Sequence, residues 1–358
     1  MAERVLIAMS GGVDSTAAAL LLCRAGYRCS GAMLKLYSGP SAENGCCSAD
    51  DAEDARAAAA SLGMDFYVFN ETARFEREVM DRFVDSYRSG RTPNPCIDCN
   101  RFLKFGALLD RALTLGYDYI ATGHYARVHR EDGRFHLLRG TDRSKDQSYV
   151  LYQLTQAQLS HLLLPIGEYD KPSVRALAAE AGLRNADKPD SQDICFVPDG
   201  DYVNFLREYG HLELREGDFV DSSGRVLGRH RGLEAYTTGQ RKGLGVSASG
   251  RLYVISKDAK TNTVLLGNDS DLFSRSLSAS DMNWIEPEPS SPLRVTAKTR
   301  YSQTEAPATV TPLPGGAARV DFDEPQRAIT AGQAVVLYDG ERVVGGGTIE
   351  KALPPNGV

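Results

Sequence analysis

The chain has 358 residues, 42% of them hydrophobic and 25% charged, with a formal net charge of −6 at pH 7. This length predicts two or three globular domains. No stretch approaches the roughly 20 apolar residues of a membrane span, and the N-terminus enters a strand pattern without a signal peptide. Composition therefore argues against a membrane protein, and the negative charge argues mildly against a nucleic-acid partner.

Cysteine usage points to a reducing compartment. The chain has seven cysteines, an odd number spread thinly over its length: Cys23, Cys29, Cys46, Cys47, Cys96, Cys99 and Cys195. Small secreted domains use paired cysteines as a disulfide framework, and this pattern does not resemble one. We therefore expect a cytoplasmic, mostly reduced protein.

Positive charge is concentrated in one part of the chain. Residues 222–260 contain only two acidic side chains and a local net charge of +6, from Arg225, Arg229, Arg231, Arg241, Lys242, Arg251, Lys257 and Lys260 against Glu234 and Asp258. Such a stretch is either a solvated basic face or a surface that faces RNA.

The N-terminal segment predicts an anion-binding loop. It reads Ala8-Met9-Ser10-Gly11-Gly12-Val13-Asp14-Ser15. The apolar run before it predicts a buried strand, and residues 16–25 predict a helix that ends at Gly26. Glycines between a strand and a helix let backbone N–H groups and the helix dipole face a phosphate, and the hydroxyls of Ser10 and Ser15 add donors. The segment is not a Walker loop, because the lysine of G-x-x-x-x-G-K-[ST] is missing, and it lacks the dinucleotide-binding pattern G-x-G-x-x-G.

This loop resembles the SGGxDS loop of the PP-loop ATP pyrophosphatases. That resemblance implies cleavage of ATP between its α- and β-phosphates and adenylation of a substrate. It places the pyrophosphate part on the loop and Asp14 near Mg²⁺. The alternative is an ordinary glycine-rich strand–helix turn with a capping serine.

Up to about residue 122, strand and helix patterns alternate. Helices are predicted at 49–62, beginning after Ser48, and at 104–115. Phe75, Val79 and Phe83 mark the buried face of another helix. Alternation of this kind predicts a doubly wound parallel sheet with ligands at the carboxyl ends of its strands, where Met33 and Gly123 also fall. Residues 125–138 predict a hairpin.

After about residue 210 the helical patterns stop, and short β-like runs separated by turns follow. We predict an α/β domain of the PP-loop ATP pyrophosphatase type over 1–208, a small central β domain over 209–279 and a C-terminal β-barrel over 280–358. The junction of the two β domains is expected near Ser276–Ser280.

Two polar, proline-bearing stretches carry cysteines that do not look like core thiols. They contain Cys96 and Cys99 in one case and Cys195 in the other. A helix starting just after Cys99 would lower the pKa of its thiol and favour the thiolate. Three alternatives remain: a zinc site formed with Cys46 and Cys47, an iron–sulfur site that uses Cys195, and inert surface thiols. Cys23 and Cys29 are expected in the core.

An ordered set of further motifs resembles the MnmA family of bacterial tRNA-specific 2-thiouridylases over nearly the whole chain. Besides the loop at 8–15, the matching pieces are NPCIDCN at 94–100, ATGHYA at 121–126, KDQSYVLY at 145–152, KPDSQDICFVPDGDY at 188–202, TTGQRKGLG at 237–245 and TRYSQ at 299–303.

The resemblance implies a reaction. ATP adenylates the C2 oxygen of the wobble uridine, U34, in tRNAs for Lys, Glu and Gln, and a persulfide on Cys195 then displaces AMP. Cys99 is the implied nucleophile, which either frees sulfide or closes a disulfide with Cys195. The implied partners are tRNA and a cysteine desulfurase or sulfur-relay protein. ATP and Mg²⁺ are required, and an iron–sulfur cluster is not favoured.

The resemblance also implies binding residues. Residues 8–15, Met33 and Gly123 match ATP contacts, and Asn94, Pro95 and Cys96 match the segment around the target base. The remaining implied tRNA contacts are His124, Lys145, Asp146, Gln147, Arg300, Tyr301 and Gln333. Cys96 is often an acidic residue in the family, which leaves its own role open.

Other functions compete with this one. A different PP-loop synthetase is possible, but an amidotransferase needs a glutaminase module that is not visible, and lysidine synthesis needs no paired cysteines. A non-enzymatic ATP- or metal-binding redox module that contacts RNA would leave Asp14 and its loop unexplained.

Overall fold

A computed structural model describes residues 2–37, 49–183, 185, 188, 194–247 and 250–353. Contacts within the chain divide it into two units. Unit 1 comprises Met1–Met80, Pro95–Gly200 and Glu341–Val343; unit 2 comprises Asp81–Asn94, Asp201–Gly340 and Val344–Val358.

The strands of the described residues are β1 Arg4–Ala8, β2 Arg28–Lys35, β3 Asp65–Asn70, β4 Tyr119–Ala121, β5 Ala126–Glu131, β6 Arg134–Arg139, β7 Leu162–Leu163, β8 Gly217–Val220, β9 Val226–His230, β10 Tyr253–Asp258, β11 Thr263–Gly267, β12 Phe273–Trp284, β13 Leu293–Lys298, β14 Ala306–Leu313, β15 Ala317–Arg327, β16 Ala334–Asp339 and β17 Arg342–Leu353.

The α-helices of the same residues are α1 Val13–Arg24, α2 Ala49–Ser61, α3 Thr72–Phe75, α4 Arg82–Arg88, α5 Pro95–Asp98, α6 Leu108–Thr114, α7 Gln156–Leu159, α8 Lys171–Glu180 and α9 Tyr202–Glu208. Two π-helical segments span Glu76–Asp81 and Cys99–Ala107, and single 3₁₀ turns span Ser148–Leu151, Leu233–Ala235 and Asp269–Leu272. None of these helices is long and apolar enough to cross a bilayer.

Unit 1 contains a parallel sheet, as the alternating pattern predicts. Its strand order is β3-β2-β1-β4-β7, and every neighbouring pair runs parallel. The central strand β1 is apolar because it is covered on both faces, and Val5, Leu6 and Ile7 have no exposed surface. The carboxyl ends of these strands therefore share one edge, where the loop at 10–15 begins.

Helix α1 is apolar on more than one side because two groups of residues cover it. Ala19 and Leu22 pack into the cluster beneath the sheet, and Ala17 and Ala18 pack against Val174 of α8. Alanine lets these elements approach closely without losing side-chain entropy. The predicted buried stripe of Phe75, Val79 and Phe83 is confirmed, since all three are at most 1% exposed.

The hairpin predicted at 125–138 is confirmed as β5 and β6. Its turn residues Asp132 and Gly133 have φ of 49° and 80°, the left-handed conformations that two-residue hairpin turns need. Within unit 1, Arg342 at the start of β17 pairs with Leu138 of β6.

Unit 2 contains the two β assemblies expected after residue 210. One is a four-stranded sheet in the order β10-β11-β8-β9, with a core around Phe219, Val254 and Val264. The other is a six-stranded barrel in the order β12-β15-β14-β13-β16-β17, closed by pairing of β12 with β17. Closure removes exposed sheet edges, and the predicted barrel is confirmed.

Ser276–Ser280, the expected junction of the two β domains, lies inside β12. The boundaries of the three predicted domains stay a prediction.

Unit 2 also includes an aromatic contact between α4 and α9. Phe83 and Phe205 meet edge to face with ring centroids 5.9 Å apart, and Tyr87 stacks on Tyr202 at 4.9 Å. The Tyr209 hydroxyl donates to Asp81 at 2.8 Å. Residues 81–94 are thereby fixed within this unit.

The helix predicted at 104–115 begins earlier than expected. Helical backbone already starts with α5, continues through the π-helical segment Cys99–Ala107 and ends with α6. Asp98, directly before Cys99, has helical φ and ψ of −64° and −41°. Cys99 therefore lies inside helical backbone and not ahead of a helix N-terminus, so the predicted cause of a lowered thiol pKa is wrong.

Lys257 predicts a pH dependence of stability. Its Nζ donates to the Tyr236 carbonyl at 2.9 Å, and burial lowers its pKa to about 8, against about 10.4 in an unfolded chain. Between pH of about 8 and about 10.4, this side chain binds more protons in the unfolded chain than in the folded protein. The free energy of unfolding therefore rises with pH over this range. Lys257→Met should lack that rise in urea unfolding measured from pH 7 to 10.5.

The exposed Lys260 provides the matched control, since Lys260→Met should keep the wild-type slope. An identical slope in wild type and Lys257→Met would contradict the assigned burial cost.

Candidate active site

The loop between β1 and α1 is shaped as an anion site. Gly12 is the N-cap residue of α1 and has no side chain of its own to cap the helix, which favours access of a ligand to the first N–H groups. Ser15 was predicted to donate to phosphate, but its hydroxyl accepts from Ser10 N at 3.3 Å and donates to the Gly12 carbonyl at 3.1 Å. Ser15 therefore holds the loop together, whereas Ser10 is exposed.

The two glycines of the loop meet different requirements. Gly11 has a φ of +75°, and a Cβ there would lie 2.4 Å from the Asp51 carbonyl oxygen of α2. Gly12 has an ordinary φ of −85°, and a Cβ there would lie 3.5 Å from Ser10 Oγ as its nearest neighbour. Packing within the protein thus requires Gly11 but not Gly12, whose missing side chain favours close approach of an anion.

The structure brings the other expected ATP contacts to the same sheet edge. A Cβ at Gly123 would lie 2.6 Å from Ser15 N and 2.7 Å from the carbonyl carbon of Asp14, so the chain after β4 lies directly against the loop. Met33 of β2 is 2% exposed. Met9 and Val13 are buried, and Ala8 is half-buried. Contact of these residues with ATP stays a prediction.

Asp14 is held by two side chains from elsewhere in unit 1. Lys171 Nζ lies 2.7 and 2.8 Å from its two carboxylate oxygens, and the Tyr125 hydroxyl donates to Oδ1 at 2.8 Å. Lys171 is only 7% exposed. A buried ammonium needs such a partner, and removing either charge would leave the other poorly compensated.

This arrangement bears on the expected magnesium contact. Both oxygens of Asp14 accept from Lys171, so a cation bound there would share the carboxylate with the ammonium. Among the described residues, no group of three or more potential ligand side chains could hold a metal. Asp14 as a Mg²⁺ ligand stays a prediction, and no step below depends on it.

Asn185 supports the loop from behind. Its Nδ2 donates to the carbonyls of Gly11 and Gly12 at 3.2 and 3.3 Å and to Thr16 Oγ1 at 2.6 Å. Nearby, Lys188 Nζ pairs with Asp51 and Asp54 of α2 at 2.7 and 2.6 Å. The Asn185 contacts satisfy carbonyls of the loop without using its N–H groups.

The cysteine pair predicted on a loop lies on helical backbone. Asn94 is half-buried, Pro95 is buried and Cys96 is exposed, while Cys99 is 9% exposed. Cys99 was not expected to be a core thiol, and this prediction is wrong because residues 95–107 form helical backbone packed into unit 1. Asn100 anchors that helix by donating to the Val150 carbonyl at 3.0 Å.

Cys195 is half-buried in the same unit. Its neighbour Phe196 meets Phe75 of α3 edge to face at 5.7 Å, and α3 also packs against the segment Cys99–Ala107. The segments that carry Cys99 and Cys195 therefore contact the same short helix. Residues 189–193, which precede Cys195 in its motif, lie outside the described residues.

The remaining cysteines do not form a described metal site. Cys46 and Cys47, the other half of the zinc alternative, lie outside the described residues, as does Ser48. Cys23 and Cys29 are half-buried rather than fully buried. Hydrogen bonding from Cys29 lowers the pKa of the Cys23 thiol to about 7.

Three predicted tRNA contacts of unit 1 use their side chains within the protein. Asp146 accepts from Gly140 N and Ser148 N at 3.1 and 3.0 Å, and Gln147 accepts from Tyr125 N at 3.0 Å. His124 Nδ1 lies 2.7 Å from Thr122 Oγ1. Burial, with Lys104 nearby, holds the pKa of His124 well below its usual value. These contacts shape the site; direct binding of tRNA stays a prediction, as it does for the half-buried Lys145.

The predicted contacts of unit 2 are likewise engaged. Arg300 Nη2 donates to the carbonyls of Thr238 and Ala328 at 3.2 and 2.8 Å, which links the four-stranded sheet to the barrel. Gln333 Nε2 donates to the Thr92 carbonyl at 2.8 Å. Tyr301 is 41% exposed, and Lys298 Nζ lies 5.9 Å from the centroid of its ring.

The basic stretch at 222–260 is less uniform than its sequence suggests. Arg225 pairs with Asp221 at 3.0 Å, and Arg229 pairs with Asp218 at 3.1 Å; neither acidic residue falls in the counted window. Lys257 donates internally. The exposed remainder is Arg231, Arg241, Lys242, Arg251 and Lys260.

Sequence reasoning missed Lys171, Tyr125 and Asn185. Lys171 had one available signal: it is a cation in the first turn of α8, after the N-cap Asp170, where the helix dipole disfavours positive charge. A nearby anion offsets that cost. Tyr125 lies within the ATGHYA motif, but the motif assigned it no role. The residues around Asn185 give no signal that it contacts the loop.

Comparisons with known proteins agree with this arrangement. Family models match three consecutive parts of the chain: a tRNA methyl transferase HUP domain at residues 3–199, a tRNA methyl transferase PRC-barrel domain at 203–268 and an aminomethyltransferase β-barrel domain at 274–349. The names of two of these models mention methyl transfer, whereas the relatives that match over their full length are named for thiolation.

Proteins named tRNA-specific 2-thiouridylase MnmA match nearly end to end. The one from Moorella thermoacetica is 53% identical over 96% of this chain and 99% of its own length. That from Carboxydothermus hydrogenoformans is 51% identical over 98% of each chain, and that from Acetivibrio thermocellus is 49% identical over 97% and 99%. The chain therefore belongs to the MnmA family of tRNA-specific 2-thiouridylases.

Proposed function

We propose that this protein replaces the C2 oxygen of the wobble uridine (U34) of tRNA by sulfur. ATP activates the base, a persulfide on Cys195 carries the sulfur, and the products are 2-thiouridine, AMP and pyrophosphate. The expected substrates are the tRNAs for Lys, Glu and Gln. The tRNA specificity in the names of its full-length relatives supports this substrate class.

One observation carries the proposal: the anion loop and the Cys99 helix meet at two consecutive residues. The backbone of Gly123 lies against Asp14 and Ser15. The ring of His124 lies 5.7 Å from that of Phe105 in the Cys99–Ala107 segment. A nucleotide on the loop and a base near Cys99 would therefore be neighbours, as adenylation of that base requires.

The first step turns a poor leaving group into a good one. The uracil O2 attacks the α-phosphorus of ATP, the α–β phosphoanhydride bond breaks, and pyrophosphate leaves. Backbone N–H groups at the start of α1 stabilise the negative charge that develops on the departing pyrophosphate. Lys171 and Tyr125 fix Asp14 beside this site.

The second step transfers sulfur. The terminal sulfur of the Cys195 persulfide attacks C2, and the C2–O bond breaks with release of AMP. The Cys99 thiolate then attacks Cys195 Sγ, which expels the sulfur as 2-thiouridine and closes a Cys99–Cys195 disulfide. A thiol reductant restores both thiols. In the other order, Cys99 first frees sulfide, which attacks C2 itself.

The substrate base lies in an anticodon loop and has to be unstacked to react. Asn94, Pro95 and Cys96 are proposed to surround it. Exposed cations of unit 2 and the aromatic ring of Tyr301 suit the phosphates and bases of a single strand. A cysteine desulfurase or relay protein is the proposed sulfur source, the cytoplasm the proposed location and three domains the proposed organisation.

Other PP-loop synthetases are the second class of function. A lysidine synthetase would also adenylate a tRNA base, but it would need neither Cys99 nor Cys195. The pair Cys99 and Cys195, whose segments contact the same short helix, favours thiolation. An assay for 2-thiouridine on purified tRNA, with ATP and a persulfide source, tests the proposal directly.

The loop glycines give a matched pair of variants. Gly12→Ala should reduce AMP and pyrophosphate release by roughly 100-fold or more, because the new methyl group blocks close approach of the phosphates. Its free energy of unfolding should stay within about 0.5 kcal/mol of wild type. Gly11→Ala should instead destabilise the fold by about 1–3 kcal/mol, because its φ is positive and Asp51 is close. Near-normal AMP release by Gly12→Ala would contradict the site.

Serine variants separate the roles of the cysteines. Cys99→Ser and Cys195→Ser should each abolish thiolation while retaining ATP binding, because neither side chain belongs to the anion loop. Cys99→Ser should still accept a persulfide at Cys195 from a desulfurase, and wild type should accumulate the disulfide without reductant. Mass spectrometry after anaerobic labelling reports both species.

Cys96→Ser serves as the control for a cluster mechanism. It should keep most of the activity, and iron-free wild type should turn over. Three equally inactive variants and an iron-dependent wild type would contradict the persulfide route.

The exposed basic residues predict a salt dependence. Arg241→Ala combined with Lys242→Ala should weaken binding to all substrate tRNAs alike. The slope of log affinity against log salt should fall by about 0.7–0.9 for each phosphate that is no longer neutralised. Arg225→Ala is the control, since Arg225 is paired with Asp221. Unchanged affinity and slope in the double variant would identify the stretch as a solvated face.

A further inference from the structure

The barrel holds the chain just ahead of the segment proposed to surround the base. Thr92 N donates to the Ala331 carbonyl at 2.9 Å, and the Thr92 carbonyl accepts from Gln333 Nε2 at 2.8 Å. Both backbone polar groups of Thr92 are therefore satisfied by the turn between β15 and β16. Thr92 and this turn all belong to unit 2.

An ion pair fixes the preceding residue. Arg91 Nη2 lies 2.8 Å from Glu350 Oε2, and Nη1 lies 3.4 Å from Oε1. The Ser280 hydroxyl donates to Oε1 as well. Glu350 thus receives donors from two elements, which restricts the rotamers available to Arg91.

Gly332 shows how closely the turn approaches this segment. It has a φ of +89°, and a Cβ there would lie 2.8 Å from Thr92 N and 2.9 Å from Arg91 Cβ. The turn is itself fixed to β17, since Gly332 N donates to Ile349 O and Ile349 N donates to Gln333 O, each at 2.8 Å.

The chain from Thr92 to Pro95 is stiff. Pro93 and Pro95 lock their own φ near −65°, and each restricts the residue before it, Thr92 and Asn94 respectively. Fewer backbone rotations can therefore absorb a displacement at Thr92 before it reaches Asn94.

We propose that Arg91 and Glu350 are positioning residues for sulfur transfer: through them the barrel sets the place of Asn94 at the start of the base segment. Together with Thr92, Gly332 and Gln333, they form the barrel latch. This inference rests on the proposed function, because it gives the latch a role in that reaction.

The latch contributes little to folding, which makes its catalytic role testable. The Arg91 and Glu350 side chains are 41% and 33% exposed, and solvent-exposed ion pairs of this kind contribute little to stability. Misplacement of a reacting group by about 1 Å, however, can cost roughly 100-fold in rate.

The test is a charge exchange followed by steady-state kinetics. Arg91→Glu and Glu350→Arg should each lower kcat for 2-thiouridine formation by at least about tenfold. The KM for ATP, the Kd for tRNA and the thermal midpoint should change little. The double exchange should regain at least half of the lost activity, because the ion pair is restored with opposite polarity.

Arg294 and Asp323 provide the matched control. They form an ion pair on the barrel at 2.8 Å, with side chains 61% and 49% exposed, between β13 and β15. Arg294→Glu should leave kcat unchanged. If Arg294→Glu lowers kcat as much as Arg91→Glu does, the effect comes from general destabilisation of the barrel, and the inference is overturned.

Two further outcomes would also overturn it. If Arg91→Glu raises the Kd for tRNA and the double exchange with Glu350→Arg does not restore that Kd, then Arg91 binds phosphate and does not position the segment. If both single variants keep wild-type kcat, the latch has no role in the reaction. Failure of the proposed function would look different, because wild type itself would then form no 2-thiouridine.

Discussion

The anion loop has to keep its backbone N–H groups open to a ligand, and much of unit 1 follows from that constraint. Asn185 Nδ2 donates hydrogen bonds to the backbone carbonyls of Gly11 and Gly12. The acidic side chain of Asp14 is held by Lys171 and Tyr125. The loop is therefore fixed by side chains of unit 1, so little reorganisation is needed when charge develops there.

The same sheet edge connects the residues proposed for adenylation with those proposed for sulfur transfer. Gly123 can lie against the loop because it has no side chain, and the next residue, His124, contacts the Cys99 helix through Phe105. Burial of Cys99 on a helix gives it a fixed direction and limited access to solvent. The proposed attack of Cys99 on a persulfide at Cys195 would benefit from this burial, because loss of sulfide to water is reduced.

Much of this fold could be predicted from the sequence because its signals are local. The apolar run of β1, the paired glycines and the hairpin turn at Asp132-Gly133 each specify backbone within a few residues. The environment of Cys99 could not be predicted in that way. Pro95 and Cys96 suggested a loop, but tertiary packing through Asn100 and Val150 extends helical backbone to Pro95. Lys171 lies 157 positions from Asp14, and only the fold brings them together.

The central claim is that ATP activates the oxygen that sulfur replaces, and an isotope label tests it most directly. A substrate tRNA with ¹⁸O at O2 of U34 would be incubated with wild-type protein, ATP and a persulfide donor, and the nucleotide products analysed by mass spectrometry. Each 2-thiouridine formed should be accompanied by one AMP that carries one ¹⁸O and by one pyrophosphate. Unlabelled AMP, or ADP as the product, would contradict the claim.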